Sequence, residues 1–332
     1  MFDKFNTQTG ENQAFAFLRS EIMSRKSPRA AMSKLCGGIR PSRVRVDLND
    51  KLAKTIFKLS DERTERLLQG KTSYIVEKEI QKIGEITTAY HILNAEGYQV
   101  VRPFNMFDRF VLSACISEWL AGNHYTTVAI IYRALTGKIG KGDSKPSVTQ
   151  RKTIIESLGV LMNRIIDYNA EDLSRLMDYD KSDALYGKGP LLSAMYVDFS
   201  ALDSENDTLI FFTSEPTFLK LSKIKKQLVS YDATLLDMPG QNTPMNITAK
   251  NYAMLRVQEI KLHRQLTPTI TFDDVFRKLR IENSSTKTKM DVRNTMLEFF
   301  DHLKNENIVK DFEVVKHGNT FYSIKFPRPQ KS

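Results

Sequence analysis

Apolar positions recur at helical spacing over several stretches of the chain, and the stretches fall into two similar series. In the first, Phe107, Phe110, Val111, Ala114, Cys115, Trp119 and Leu120 form one wide stripe, which predicts a buried amphipathic helix. Asn105 stands before it as N-cap and Gly122 after it as a stop. His124–Val128 reads as a strand leading to a Thr N-cap. Val128, Ile131, Tyr132 and Leu135 form the next face, which ends at Gly137. After a Lys-rich break, Ser147 caps a long helix with Ile154, Ile155, Leu158, Leu161, Met162, Ile165 and Ile166 as its apolar face. Met195–Phe199 and Thr208–Phe212 then read as a hairpin.

The second series repeats that order. It runs through Asn246–His263, Thr271–Arg280, Lys287–Asn305 and a hairpin within Val309–Phe326. Three helices, a short Thr-led segment before the second, and a closing hairpin are the outline of a winged helix. The expected fold class is therefore helix-rich α+β, with two tandem winged-helix domains. A small N-terminal α+β element precedes them: a short helix that starts at Asp61 and ends at Gly70, and strands at Ser73–Val76, Ile86–Leu93 and Tyr98–Arg102, with a turn at Asn94–Gly97. It either completes a sheet or contacts another subunit. The expected division is a flexible basic arm over 1–50, the small element plus first winged helix over 51–238, and the second winged helix over 239–332. The Pro/Gly-rich run from Asp237 to Pro244 serves as linker, after a short basic helix at Phe218–Val229.

Charge sharpens this outline. The chain of 332 residues carries a net charge of +10, which fits a polyanionic partner without identifying one. Between Arg19 and Arg45 stand eight basic residues against the single acid Glu21, among Pro and Gly breaks. That composition predicts an arm without a core to bury. Asp167–Asp207 is acidic instead, and its Asp203–Asp207 tip would be repelled by DNA. The second hairpin tip, Lys316-His317-Gly318-Asn319, is neutral to basic, so the second series is the better candidate reader. The N-terminal end of a third helix enters the major groove in this architecture. Candidate DNA-binding residues are thus Thr149, Gln150, Arg151 and Lys152 in the first series. In the second they are Lys287, Lys289, Arg293, Asn294, Lys316, His317 and Asn319. Cations at a helix N-terminus oppose the macrodipole, a conflict that neighbouring phosphate would relieve.

Catalytic and metal signatures fail on inspection. Gly137–Gly142 has P-loop glycine spacing, but Asp143 stands where Lys is required. Counted from Asp178, the sixth and twelfth positions of a calcium loop are Asp183 and Gly189, not Gly and Glu. The five histidines are scattered, and Asp273-Asp274 fits a helix start better than a paired-carboxylate site. The expectation is a non-enzyme with no metal and no cofactor. Two cysteines, no signal peptide and no bilayer-length apolar run point to a reducing cytoplasm and no membrane.

Val101-Arg102-Pro103-Phe104-Asn105-Met106-Phe107-Asp108-Arg109-Phe110-Val111-Leu112 resembles the opening of the first winged helix in bacterial plasmid replication initiators, especially of Gram-positive plasmids and integrative elements. The similarity continues in Ile131-Tyr132-Arg133-Ala134-Leu135-Thr136-Gly137, in the lysines of Lys220–Lys226 and in Leu235-Leu236-Asp237-Met238-Pro239. It spans Ser73 to Phe326 in soft motifs. The resemblance implies tandem winged helices, binding to repeated double-stranded origin DNA and recruitment of host replication proteins. The acidic first wing and the basic arm depart from the pattern. A transcriptional regulator or partition-type DNA binder shares the same domains, and a winged-helix module that binds protein is a further alternative. Homodimerisation stays open.

Overall fold

The structure is a computed structural model. It describes residues 43–47, 78–83, 86–91, 104–141, 144–163, 165–168, 187–197, 208–216, 219, 228–263, 265–318 and 320–328. These form a helix-rich α+β fold with small antiparallel sheets, winged-helix-like in the order of its elements.

Helix α1 (Met106–Leu120) starts on a reciprocal cap. Asn105 Oδ1 accepts from the Asp108 amide at 3.1 Å, and Asp108 Oδ2 accepts from the Asn105 amide at 2.8 Å. Nearly every residue of α1 is buried, because other elements pack around it. Strand β4 (Tyr125–Thr127) leads into α2 (Val128–Thr136), capped by Thr127. Helix α3 (Val148–Asn163) begins at Ser147, whose Oγ accepts from the Gln150 amide while Gln150 Oε1 accepts from the Ser147 amide at 2.7 Å. Strands β7 (Ala194–Val197) and β8 (Leu209–Phe212) close the series, in the sheet order β4-β8-β7. Trp119 packs edge-on against His124 and Phe212, with centroids 5.3 and 6.1 Å away.

The second series repeats that plan. Helix α4 (Pro244–Leu262) is capped by Thr243 with Pro at the first helical position. Strand β10 (Thr269–Thr271) enters α5 (Phe272–Leu279), then α6 (Thr286–Asn305) follows from its Ser285 cap. Strands β11 (Glu313–His317) and β12 (Thr320–Lys325) complete the sheet β10-β12-β11. In both sheets the strand before the second helix pairs with the last strand of the hairpin. The rings of Phe312 and Phe326 lie 5.6 and 5.2 Å from Phe300, in the core under α6.

Several expectations need correction. The third helix of the first series stops at Asn163. Ile165 and Ile166 belong to strand β5 (Ile165–Tyr168), where two β-branched residues fit a pleat better than a helix turn. Strand β5 lies between β3 (Ile86–His91) and β6 (Gly187–Pro190), and β2 (Lys78–Ile83) extends that sheet. The N-terminal element thus completes a sheet, although Lys78–Ile83 was not foreseen. Arg43 and Arg45, assigned to the flexible arm, lie in strand β1 (Arg43–Asp47), paired with β9 (Leu228–Asp232). Val44 is buried between them, and the Arg45 amide donates to Ser117 Oγ on α1 at 2.7 Å. Val229 is in β9 rather than in a basic helix. The rest of the arm, the Asp61–Gly70 helix, the Ser73–Val76 and Tyr98–Arg102 strands, the Asn94–Gly97 turn and the acidic Asp203–Asp207 tip lie outside the described residues.

The two series share one continuous hydrophobic core. Helices α1 and α4 pack together, and α2 rests on a 3₁₀ turn, Ala233–Leu236. Asn251, fully buried on α4, donates to Leu135 O and Ile247 O, both at 2.9 Å, and accepts from Tyr231 Oη at 3.3 Å. The expected linker is fastened down. Asp237 pairs with Lys141 at 2.5 Å, Asn242 O accepts from Gln150, and buried Lys250 donates to Leu236 O and Asn242 Oδ1 at 3.2 and 2.8 Å. Arg280 reaches back from the end of α5 to Phe104 O at 3.0 Å.

Gly137 ends α2 at φ +77, and a Cβ there would stand 2.3 Å from the Asp237 amide nitrogen and 2.7 Å from Ala233 O. Gly140 has a similar φ of +80 but open space around it. We therefore expect Gly137→Ala to destabilise by roughly 3 kcal/mol or more, and Gly140→Ala by about 1–2 kcal/mol. Equal losses in urea unfolding would show that the close approach at Gly137 is not needed. Burial of Lys250 lowers its pKa from 10.5 to about 8; Asp237 opposes the shift and Lys138 adds to it. Between those values the unfolded chain binds more protons, so stability rises with pH across the window. Relative to Lys250→Met, the native chain should gain roughly 3 kcal/mol from pH 7 to pH 10.5. A difference that stays flat with pH would contradict a buried amine.

Candidate nucleic-acid interface

Each third helix begins at a serine cap. Ser147 serves α3, and Ser285 Oγ accepts from the Thr288 amide at 3.2 Å to serve α6. The exposed residues then select one face of each helix. On α3 these are Val148, Thr149, Lys152 and Glu156, spaced so that they share a side. On α6 the face carries Lys287, Met290, Asp291, Asn294 and Glu298.

Of the residues expected to contact DNA, Thr149, Lys152, Lys287, Asn294, Lys316 and His317 are exposed. Four others are engaged within the fold. Gln150 Nε2 donates to Asn242 O, and Arg151 Nη2 donates to Thr208 Oγ1 at 3.1 Å. Lys289 donates to Glu282 O and lies 5.8 Å from the Phe276 ring centre. The Arg293 guanidinium carbon sits 4.9 Å over Phe276 and 5.7 Å from the centre of Phe272, with Nε buried and lacking a hydrogen-bond partner. Arg293 thus rests on the faces of α5 aromatics, where its charge meets their negative quadrupole. Asn319 lies outside the described residues.

The second hairpin carries the remaining described candidates, Lys316 and His317. Gly318 turns the tip at φ +59, and the register shifts between Val315 and Lys316. Such a bulge increases local twist and re-aims side chains. Lys316 Nζ lies 4.9 Å over Phe321, and His317 stacks on Tyr322 with centroids 4.3 Å apart. The hairpin thus presents cationic and aromatic groups together.

A concave region of about 340 Å³ lies between the two series, lined in part by Arg109, Tyr252, Arg256, Glu259, Asp274 and Arg277. Sequence reasoning did not anticipate it. Arg256 pairs with Glu259, Arg277 with Asp274 at 2.8 Å, and Tyr252 Oη donates to Asp274 Oδ2 at 2.5 Å. Burial works against ionised Asp274, but the hydrogen bonds from Tyr252 and Arg277 hold its carboxyl below the ordinary range. The N-cap of α5 is Thr271, leaving Asp273 and Asp274 as first-turn acids. Among the described residues no set of three His, Cys, Asp or Glu side chains is arranged to hold a metal ion, and no helix is long and apolar enough to cross a membrane.

No protein-family model and no curated protein matches this chain. Two solved structures show a weak likeness. One is of selenomethionine derivatives of domains 2 and 3 of RctB, with TM-score 0.33, 9% identity, and coverage of 77% of this chain and 93% of that one. The other is of RctB domains 2–3, with TM-score 0.34, 10% identity, and coverage of 75% and 90%. A likeness this weak assigns neither a family nor a function.

The geometry separates structural from exposed positions. Arg293→Ala should cost about 1 kcal/mol of folding stability through the lost cation–π contact. Lys287→Ala and Asn294→Ala should stay within about 0.5 kcal/mol of the native chain. Thermal and urea unfolding check this; an Arg293→Ala protein as stable as the native one would mean that the stack contributes nothing.

Proposed function

We propose that the chain is a sequence-specific, non-enzymatic duplex DNA-binding protein built from tandem winged-helix domains. The observation that carries this reading is the repeated order of elements. Each repeat has a serine-capped third helix with exposed lysine and polar side chains and a later hairpin whose last strand pairs with the strand before the second helix; in the first repeat β5 and β6 come between the third helix and the hairpin. A net charge of +10 supports it, because lysine and arginine near phosphate release condensed counterions. Specificity would come from Thr149 on α3 and Asn294 on α6; Lys152, Lys287 and Lys316 would supply phosphate contacts.

The finer role we infer is initiation of replication of a plasmid or mobile element, through repeated origin sites and recruitment of host replication proteins. The resemblance of Val101–Leu112 and Ile131–Gly137 to plasmid initiators supports that choice over a transcriptional regulator or partition protein. A bacterial cytoplasmic setting follows from the same reading.

Footprinting on DNA flanking the gene tests it. Protection of short direct repeats is expected, with a salt slope corresponding to about six or more phosphates. Asn294→Ala should cost roughly 1–3 kcal/mol on the specific site and relax specificity. Lys316→Ala should weaken specific and random duplexes alike. No protected site, or affinity that barely changes with salt, would contradict the reading.

A further inference from the structure

Five large hydrophobic side chains are exposed among the described residues: Leu120, Val148, Leu262, Met290 and Tyr322. Single exposed hydrophobes are ordinary. Leu120 and Leu262 are the last residues of α1 and α4 and lie near the boundary of exposure, at 37% and 40%. Val148 and Met290 differ from them. Val148 is 86% exposed at the first position of α3, and Met290 is 51% exposed on α6. Neither position closes a helix, and each lies on the exposed face of a third helix.

Their neighbours form similar sets in the two repeats. Val148 shares its face with Thr149 and with Lys152 one turn on. Met290 lies between Lys287, one turn before, and Asn294, one turn after. Each apolar group is therefore placed beside a hydrogen-bonding side chain and a cation. In the major groove, thymine presents an O4 acceptor next to a C5 methyl group. A face that reads thymine needs a donor and an apolar surface side by side. The Thr149 hydroxyl and the Asn294 amide can donate, and Val148 and Met290 offer the apolar surface.

We propose that Val148 and Met290 are specificity-determining residues that read thymine methyl groups, one in each contacted segment of the duplex. The inference rests on the DNA-binding reading above. It adds a chemical identity, a thymine methyl, at both reading helices. Charge counting passes over both residues because neither carries a charge or a hydrogen-bonding group.

Replacing single thymines by uracil in the footprinted duplex removes one methyl and leaves every base-pairing and groove hydrogen-bonding group in place. With the native chain, uracil at one or more thymines in each contacted segment should weaken binding about fourfold, the effect of one buried methyl. Val148→Ser should abolish the uracil effect in one segment and leave it in the other; Met290→Ser should do the reverse. Both side chains are exposed, so unfolding measured alongside should show unchanged stability. Specific binding that is indifferent to uracil at every thymine would overturn the proposal while leaving the DNA-binding reading intact. So would variants that keep full uracil sensitivity in both segments. Absence of any specific duplex binding would instead remove the reading on which the proposal rests.

Discussion

One buried amide, that of Asn251, joins three separate parts of the chain. Its two protons go to Leu135 O at the end of α2 and Ile247 O within α4, and its oxygen accepts from Tyr231 on β9. Leu135 O is among the last carbonyls of α2, a group without an intrahelical partner. Losing the amide would leave that carbonyl and the Tyr231 hydroxyl buried and unpaired, at about 1–3 kcal/mol each. Because burial disfavours the charged phenolate, the Tyr231 hydroxyl is held in its neutral, donating form. Gly137, Lys250 and Arg280 tighten the same junction through backbone contacts. The third helices of the two repeats are therefore mounted on a common core instead of being joined by a loose tether.

That arrangement separates the buried junction from the exposed faces of α3 and α6. The segments that resemble plasmid initiators meet at the junction. Phe104 O receives Arg280, Gly137 lies against the backbone of Leu236 and Asp237, and Leu135 O receives Asn251. The resemblance thus concerns how the repeats are held together and not the exposed helix faces. Recognition would instead fall to the exposed faces of α3 and α6 and to the second hairpin, where side chains can change without disturbing the core. Phosphate contacts would position the chain, and the uncharged groups between the lysines would discriminate among sequences.

Much of the fold was legible in the sequence, for reasons tied to particular residues. Asn105, Ser147 and Gly137 signalled helix limits because capping chemistry is local. The hairpin around Lys316–Asn319 was legible from a tip containing Gly318 between two strand-like runs. Strand β1 was missed because eight bases counted over Arg19–Arg45 hid a period of two in Arg43-Val44-Arg45-Val46-Asp47, with Val44 turned inward. Ile165 and Ile166 continued a helical stripe by spacing, but pairing of β5 with β3 and β6 prevailed. At the candidate interface, Gln150, Arg151 and Arg293 looked available because their partners are distant in the chain or belong to another helix. Asn242, Thr208 and Phe276 cannot be assigned to them from local pattern.

A shared core requires the two repeats to behave as one body. Trp119, the only tryptophan in the chain, lies in the first repeat, whereas far-UV circular dichroism follows the helices of both. The decisive measurement is denaturant unfolding of the intact chain followed by Trp119 fluorescence and by circular dichroism in the same samples. A shared core held by Asn251 predicts a single transition with coincident midpoints. A fluorescence change complete at one denaturant concentration, with a second circular dichroism transition at another, would show that the repeats fold independently and would contradict the account.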